Sequence, residues 1–127
     1  MGLRFIRDTG YCRHIEGDPA AMAKLFDGLI DGGGAIFVSE RAGIVVGMLG
    51  LLIFTHPFSG EKVASELFWW VEPDSRGDGL ELMRRAENEA RARGAQRMQM
   101  IAPNEAVARI YRRKGYEYVE STYQRKL

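Results

Sequence analysis

Between the apolar run Leu67-Phe68-Trp69-Trp70-Val71 and the helical stripe that begins at Leu80 stands Glu72-Pro73-Asp74-Ser75-Arg76-Gly77-Asp78-Gly79. Glycines between a strand end and a helix start uncover backbone N–H groups beside the positive end of the helix dipole, a place suited to a phosphate. Two glycines also simply make a turn, and composition leaves both readings open. Two nucleotide-binding loops are excluded. Position 82, where a dinucleotide fingerprint needs its third glycine, is Leu82, and there is no Gly-Lys-Ser/Thr for a Walker loop. Other reactive side chains stand apart from one another. His14 and His56 lie in loops with no His/Cys/Asp/Glu spacing that would hold a metal, so no metal is expected. Cys12 has no Cys-His arrangement around it and reads as an ordinary thiol.

These residues need a frame to hold them. Leu3 to Asp8 alternates and predicts a short first strand. Asp18-Pro19 marks a helix start, and Met22, Leu25, Phe26, Leu29 and Ile30 form one apolar stripe that ends at Asp31-Gly32-Gly33-Gly34. Ile36-Phe37-Val38, a turn at Arg41-Ala42-Gly43 and a β-rich run from Ile44 to Thr55 predict two meandering strands. Lys62 to Val71, bulky on both faces, predicts a central strand covered on both sides. By alternation Glu66 shares a face with Phe68 and Trp70, surroundings that lift a carboxyl toward neutrality, although its place at the strand start favours a solvated residue.

After the glycine loop, Leu80, Met83, Ala86, Glu87 and Ala90 run helically to Gly94. Arg97 to Ala102 predicts a short strand, Asn104 to Lys114 a helix closed by Gly115, and Tyr116 to Leu127 a last strand. The order β-α-β-β-β-α-β-α-β mixes hairpins with a crossover. It implies a mixed α/β sheet covered by helices, in a single domain over residues 1–127.

The loop resembles the pantetheine-binding strand and phosphate loop of the GNAT acyltransferases, V-x-P-x-x-R-G-x-G-x-G, with Val71, Pro73, Arg76 and Gly77 at matching positions. A later motif of that family, an Asn, a Tyr seven residues on, then a Gly four further followed by an aromatic, is matched by Asn104, Tyr111, Gly115 and Tyr116. The motifs cover roughly residues 62–118, and the earlier elements match in order only. The run from Glu66 to Val71 in so compact a chain looks most like the short GNAT proteins of tailed phages. One departure falls on the phosphate loop. If the helix sets the register, Gly79 is the family's final glycine, the loop is two residues shorter than usual, and Glu81 turns along the helix instead of facing a pyrophosphate.

The resemblance implies an N-acetyltransferase moving an acetyl group from acetyl-CoA to a primary amine. Arg76, Gly77, Asp78, Gly79 and Leu80 would meet the phosphates, and the backbone of Trp69, Trp70 and Val71 would meet pantetheine. Tyr111 would act as acid toward the departing thiolate, or serve as a core aromatic. Glu66 is the best carboxylate to accept the amine proton. Asn104 either touches pantetheine or caps its helix. The shortened loop favours a second reading, a GNAT-fold interaction or structural module that binds CoA weakly or not at all.

Length and charge narrow the rest. In 127 residues there are 18 Lys+Arg against 17 Asp+Glu and 46% hydrophobic residues, enough for one core and no more. A net charge of +1 makes no field to draw in nucleic acid or a membrane. Arg109, Arg112, Arg113 and Lys114 read as a solvated helix end. The apolar stretch from Gly43 to Phe54 is short of the roughly 20 residues a bilayer span needs. The opening residues lack a signal-peptide core and there is one cysteine, so a cytoplasmic location is expected. The aromatic-rich last strand is expected to pair across a homodimer.

Overall fold

The computed structural model describes all 127 residues. Helices α1 (Gly2–Asp8) and α2 (Pro19–Gly28) are joined through a 3-10 turn at Tyr11–Arg13. Then come β1 (Gly34–Arg41), β2 (Ile44–Thr55), β3 (Lys62–Val71), α3 (Gly79–Ala92), β4 (Arg97–Gln99) and α4 (Glu105–Arg113). The four strands lie in the order β1-β2-β3-β4, antiparallel except for the β3–β4 pair, which is parallel. This is the mixed, helix-covered sheet expected from the sequence.

Local chemistry accounts for the elements that were foreseen. Asp18 accepts a hydrogen bond from Ala20 N at 3.0 Å with Pro19 at the first helical position, so α2 begins where the sequence marks it. The β1–β2 hairpin turns through Ala42 and Gly43, both at positive φ (49° and 77°), the twist that a two-residue hairpin favours. Leu49, Leu51, Ala64 and Val71 on one sheet face meet Leu82, Met83, Ala86 and Ala90 of α3, together with Tyr111 of α4. On the other face Met48 and Phe68 pack with Leu29 behind α2. Each fully buried leucine contributes roughly 2 kcal/mol.

The strand expected over Arg97 to Ala102 stops at Gln99, and two elements differ in kind from expectation. Leu3 to Asp8 is helical. Phe5 N donates to Met1 O, and Leu3 and Ile6, one turn apart, both lie against Gly17, a pairing that a six-residue alternation cannot distinguish from a strand. Residues after α4 form no strand either. Tyr116 is held by its hydroxyl on Glu87 Oε1 at 2.8 Å, and Tyr118, Val119, Tyr123 and Leu127 are exposed. A three-residue β4 offers too short an edge to template a further strand.

Gly34 begins β1 where the strand passes closest to β2. A Cβ there would overlap the carbonyl oxygen of Leu51 on the neighbouring backbone, which cannot move aside as a side chain can. Gly34→Ala is therefore expected to lower unfolding stability by about 1–3 kcal/mol in urea melts, and a change within about 0.3 kcal/mol of zero would contradict this packing.

Candidate active site

β3 outruns its parallel neighbour. The two strands pair only at Val63 with Arg97, Ala64 with Met98 and Ser65 with Gln99, leaving residues 66–71 without a partner on that edge. The ladder ends at Gln99, and Ala102-Pro103-Asn104 keeps the chain from rejoining it. Pro103 has no N–H to offer a ladder and keeps the residue before it out of helical geometry. Asn104 then starts α4, its Oδ1 accepting from Val107 N at 3.0 Å. The chain leaves the sheet here and a wedge opens beside β3.

One backbone residue bridges the wedge. Ile101 N donates to Glu66 Oε2 at 2.9 Å, and Ile101 O accepts from the Tyr111 hydroxyl at 3.2 Å. Trp69 stacks on Tyr111 with ring centroids 5.7 Å apart and planes 26° apart. From the amino-terminal side Phe5 and Tyr11, their rings 5.5 Å apart, close over the same place. A cavity of about 40 Å³ remains among Phe5, Tyr11, Glu66, Trp69, Val107 and Tyr111.

Glu66 is 5% exposed, which excludes the solvated reading. Its partners on the sheet face also differ from those expected. The β2–β3 register shifts between Gly50 and Leu51, so that Phe68 faces Gly50 while Glu66 faces Leu51, with Leu67 as the extra residue. The bulge puts Glu66 on the face of Trp69 and Tyr111, whereas Phe68 and Trp70 pack on the opposite face against the α2 side. Burial pushes the Glu66 carboxyl up to about 7, partly offset by the Ile101 N–H. The Tyr111 phenol is raised far above its usual value by burial first, then by Glu66, Tyr116 and Tyr11. It holds its proton firmly at neutral pH.

The phosphate end is only partly arranged as expected. Residues Pro73–Asp78 wind into a 3-10 helix, with Ser75 N donating to Glu72 O at 2.9 Å and Gly79 N to Arg76 O. Gly77 faces open space and Arg76 is exposed. Gly79 is buried, and a Cβ there would stand 3.2 Å from Trp69 and 3.4 Å from Val71, so this glycine seats the start of α3 on β3. Glu81 turns along the helix toward Arg84 and Arg85, which hold its carboxyl down at about 2. Both observations match the register in which Gly79 is the last glycine.

The Asp78 carboxylate is drawn toward the β1–β2 hairpin, accepting from Ser39 Oγ at 2.6 Å and Arg41 Nη2 at 2.6 Å. The Trp70 side chain lies across the sheet from the wedge while its backbone stays on β3, Leu80 is exposed, and the Asn104 side chain caps α4, one of its two expected roles. Phe5, Tyr11 and Ile101 were not foreseen. The first two arrive on a segment whose pattern imitates a strand, and Ile101 acts through its backbone, which no side-chain pattern reports.

A larger groove of about 750 Å³ runs along the outer edge of β4 beneath residues 114–117. Two of its carboxylates are engaged, Glu61 with Arg97 at 2.6 Å and Glu87 with the Tyr116 hydroxyl, and a third, Glu117, is exposed. No three His, Cys, Asp or Glu side chains converge to hold a metal, and no helix is long and apolar enough to cross a membrane.

Comparison with known proteins supplies the context. The model of the acetyltransferase (GNAT) family matches residues 4–116. Among solved structures, an acetyltransferase from Trypanosoma brucei aligns with a TM-score of 0.70 at 20% identity, over 99% of this chain and 90% of its own. A protein from Clostridium acetobutylicum, described as a predicted acetyltransferase and solved with acetyl-CoA, gives 0.75 at 16% identity over 97% and 83%. The aminoglycoside N-acetyltransferase AAC(6')-Iy, solved with CoA, gives 0.69 at 19% identity over 85% and 87%. No curated protein matches. At these identities the structural likeness speaks for the fold, and the family model speaks for descent: the chain belongs to the GNAT acetyltransferase family.

Proposed function

We propose that the protein transfers an acetyl group from acetyl-CoA to a primary amine by direct attack in a ternary complex. One observation carries the reading: the gap where β3 runs on without β4 holds a buried carboxyl and a phenol, both fastened to Ile101. The free edge of Trp69, Trp70 and Val71 offers backbone groups to pantetheine, with Asn104 at the mouth of α4. Arg76, Gly77, Asp78 and the first residues of α3, Gly79 and Leu80, would meet the diphosphate. Solved relatives holding acetyl-CoA or CoA support that choice of cosubstrate.

In this mechanism Glu66 takes a proton from the incoming ammonium. The freed nitrogen forms a bond to the thioester carbonyl carbon, the C–S bond breaks, and Tyr111 passes its proton to the leaving sulfur. The nitrogen's second proton restores Tyr111, and Glu66 releases the first to solvent. A backbone N–H on the β3 edge aimed at the developing oxyanion would contribute about 3 kcal/mol. Because burial holds the proton on Tyr111, transfer takes place as charge accumulates on sulfur, after the hydroxyl turns away from the Ile101 carbonyl.

A second reading, an interaction module with weak CoA binding, draws on the phosphate end. There the loop uses N–H groups in its own 3-10 turn and Asp78 sets a carboxylate near the start of α3. A cytoplasmic setting, the kinship with short phage-encoded GNAT proteins and a homodimer belong to the same proposal. The dimer draws on the unpaired β4 edge and the exposed Tyr118, Val119 and Tyr123. Gel filtration at high concentration should give a dimer, and a monomer would remove it.

Calorimetry with acetyl-CoA and release of free thiol in the presence of an amine separate the two main readings. Saturable binding with turnover is expected, and absence of binding at millimolar ligand favours the module. Turnover should rise as pH increases through about 7, because Glu66 works as a base only after losing its proton and no charged side chain lines the cavity beside it. Glu66→Gln should slow turnover on the order of 10²-fold and flatten that pH profile, and Tyr111→Phe should slow it comparably. A Glu66→Gln variant with an unchanged rate and profile would rule out the base.

A further inference from the structure

Two residues on the α2 side of the sheet stand behind the Glu66 carboxyl. At the bulge in β3, Phe68 pairs with Gly50 of β2 while Leu67 has no partner, and both side chains pack into the cluster around Leu29 and Met48. Neighbouring bulky groups on one side of a strand need room. Gly50 supplies it by having no side chain, since a Cβ there would overlap the Phe68 ring carbons Cζ and Cε1 at once. Phe26 of α2 meets the same ring edge-on, with centroids 5.4 Å apart and planes 71° apart, and Phe68 is 4% exposed. The ring is therefore seated between α2 and bare backbone. Just before the bulge, Glu66 pairs with Leu51 on the other face, and its Oε2 accepts from Ile101 N at 2.9 Å. The titratable groups facing it are the phenols of Tyr11, from the amino-terminal turn, and Tyr111, from α4; no charged side chain lines the space with it.

Resting for its kinetic consequence on the acetyl-transfer reading above, we propose that Gly50 and Phe68 are positioning residues for the base: the ring seated over the bare glycine pins the bulge, and the pinned bulge holds Glu66 on the wedge face against Ile101. Neither residue reaches the cavity, so both act through the backbone of β3. A bulge leaves backbone groups unpaired and persists where packing compensates. A methyl at position 50 expels the ring, and loss of the ring at position 68 empties its seat. Either change removes that compensation, the backbone at Leu67 relaxes, and the carboxyl is drawn from Ile101 toward water. A hydrated carboxyl gives up its proton more readily than a buried one.

Titration of the Glu66 side-chain carboxyl, followed by carbon-13 NMR on the full chain without ligand, reads this placement. The parent midpoint should lie at about 7. Gly50→Ala and Phe68→Ala should each lower it by at least about one pH unit, toward the ordinary carboxyl range, and move the Ile101 amide proton resonance upfield as its partner withdraws. Leu29→Ala opens the same core cluster without touching the bulge, so it should lose stability with midpoint and resonance unchanged. Gly50→Ala combined with Phe68→Leu should restore both, because the shorter side chain leaves room for the methyl. If Gly50→Ala alone does not fold, Phe68→Ala and the paired variant carry the test. A folded Gly50→Ala or Phe68→Ala chain that titrates at the parent midpoint would overturn the inference, as would an equal drop in Leu29→Ala or a folded paired variant that does not recover. The two levels fail separately. Absence of thiol release from the parent chain removes acetyl transfer alone, whereas thiol release whose pH profile stays unmoved in Gly50→Ala removes the positioning role alone.

Discussion

The wedge beside β3 exists because β4 stops. The backbone that would have continued the parallel pair turns away after Gln99, Ile101 gives its N–H to the Glu66 side chain, and Asn104 caps the following helix. Unpaired backbone at the middle of a sheet is costly unless something satisfies it. Here Ile101 satisfies both of its groups with side chains, giving its N–H to Glu66 and its carbonyl to Tyr111. The break in the sheet thereby leaves Glu66 and Tyr111 facing one small space, with Tyr11 across it.

That arrangement has a thermodynamic consequence. The Glu66 carboxyl is held neutral more strongly in the folded chain, near 7, than in the unfolded chain, near 4.5. The folded state binds the extra proton, so stability from this group is fully present below about 4.5 and declines as pH rises through about 7. Working as a base near neutrality and lowering stability there are one property. The β-bulge at Leu67 is what makes it possible, because without that extra residue Glu66 would share a face with Phe68 and Trp70 on the α2 side.

Much of the frame was legible in the residues. Asp18-Pro19, the Ala42-Gly43 turn, Gly79 and Gly94 mark boundaries where backbone geometry itself demands particular residue types. The two motifs around Arg76 and Tyr111 indicated the family. What stayed illegible has physical reasons. Six alternating residues at Leu3–Asp8 satisfy a strand and two helical turns equally. The strand expected at Tyr116–Leu127 needs an edge longer than β4 provides. Alternation places Glu66 on the wrong face because a bulge leaves no signature in side-chain type, and the role of Ile101 is carried wholly by its backbone.

The central claim is that the open edge of β3 is where acyl-CoA enters. Amide hydrogen exchange across the chain, measured with and without saturating acetyl-CoA, tests it most directly. Slowed exchange should concentrate in residues 66–71 and 76–82, with Ile101 altered as Tyr111 leaves its carbonyl. Protection confined to the groove along the outer edge of β4, or to the residues after α4, would contradict the account.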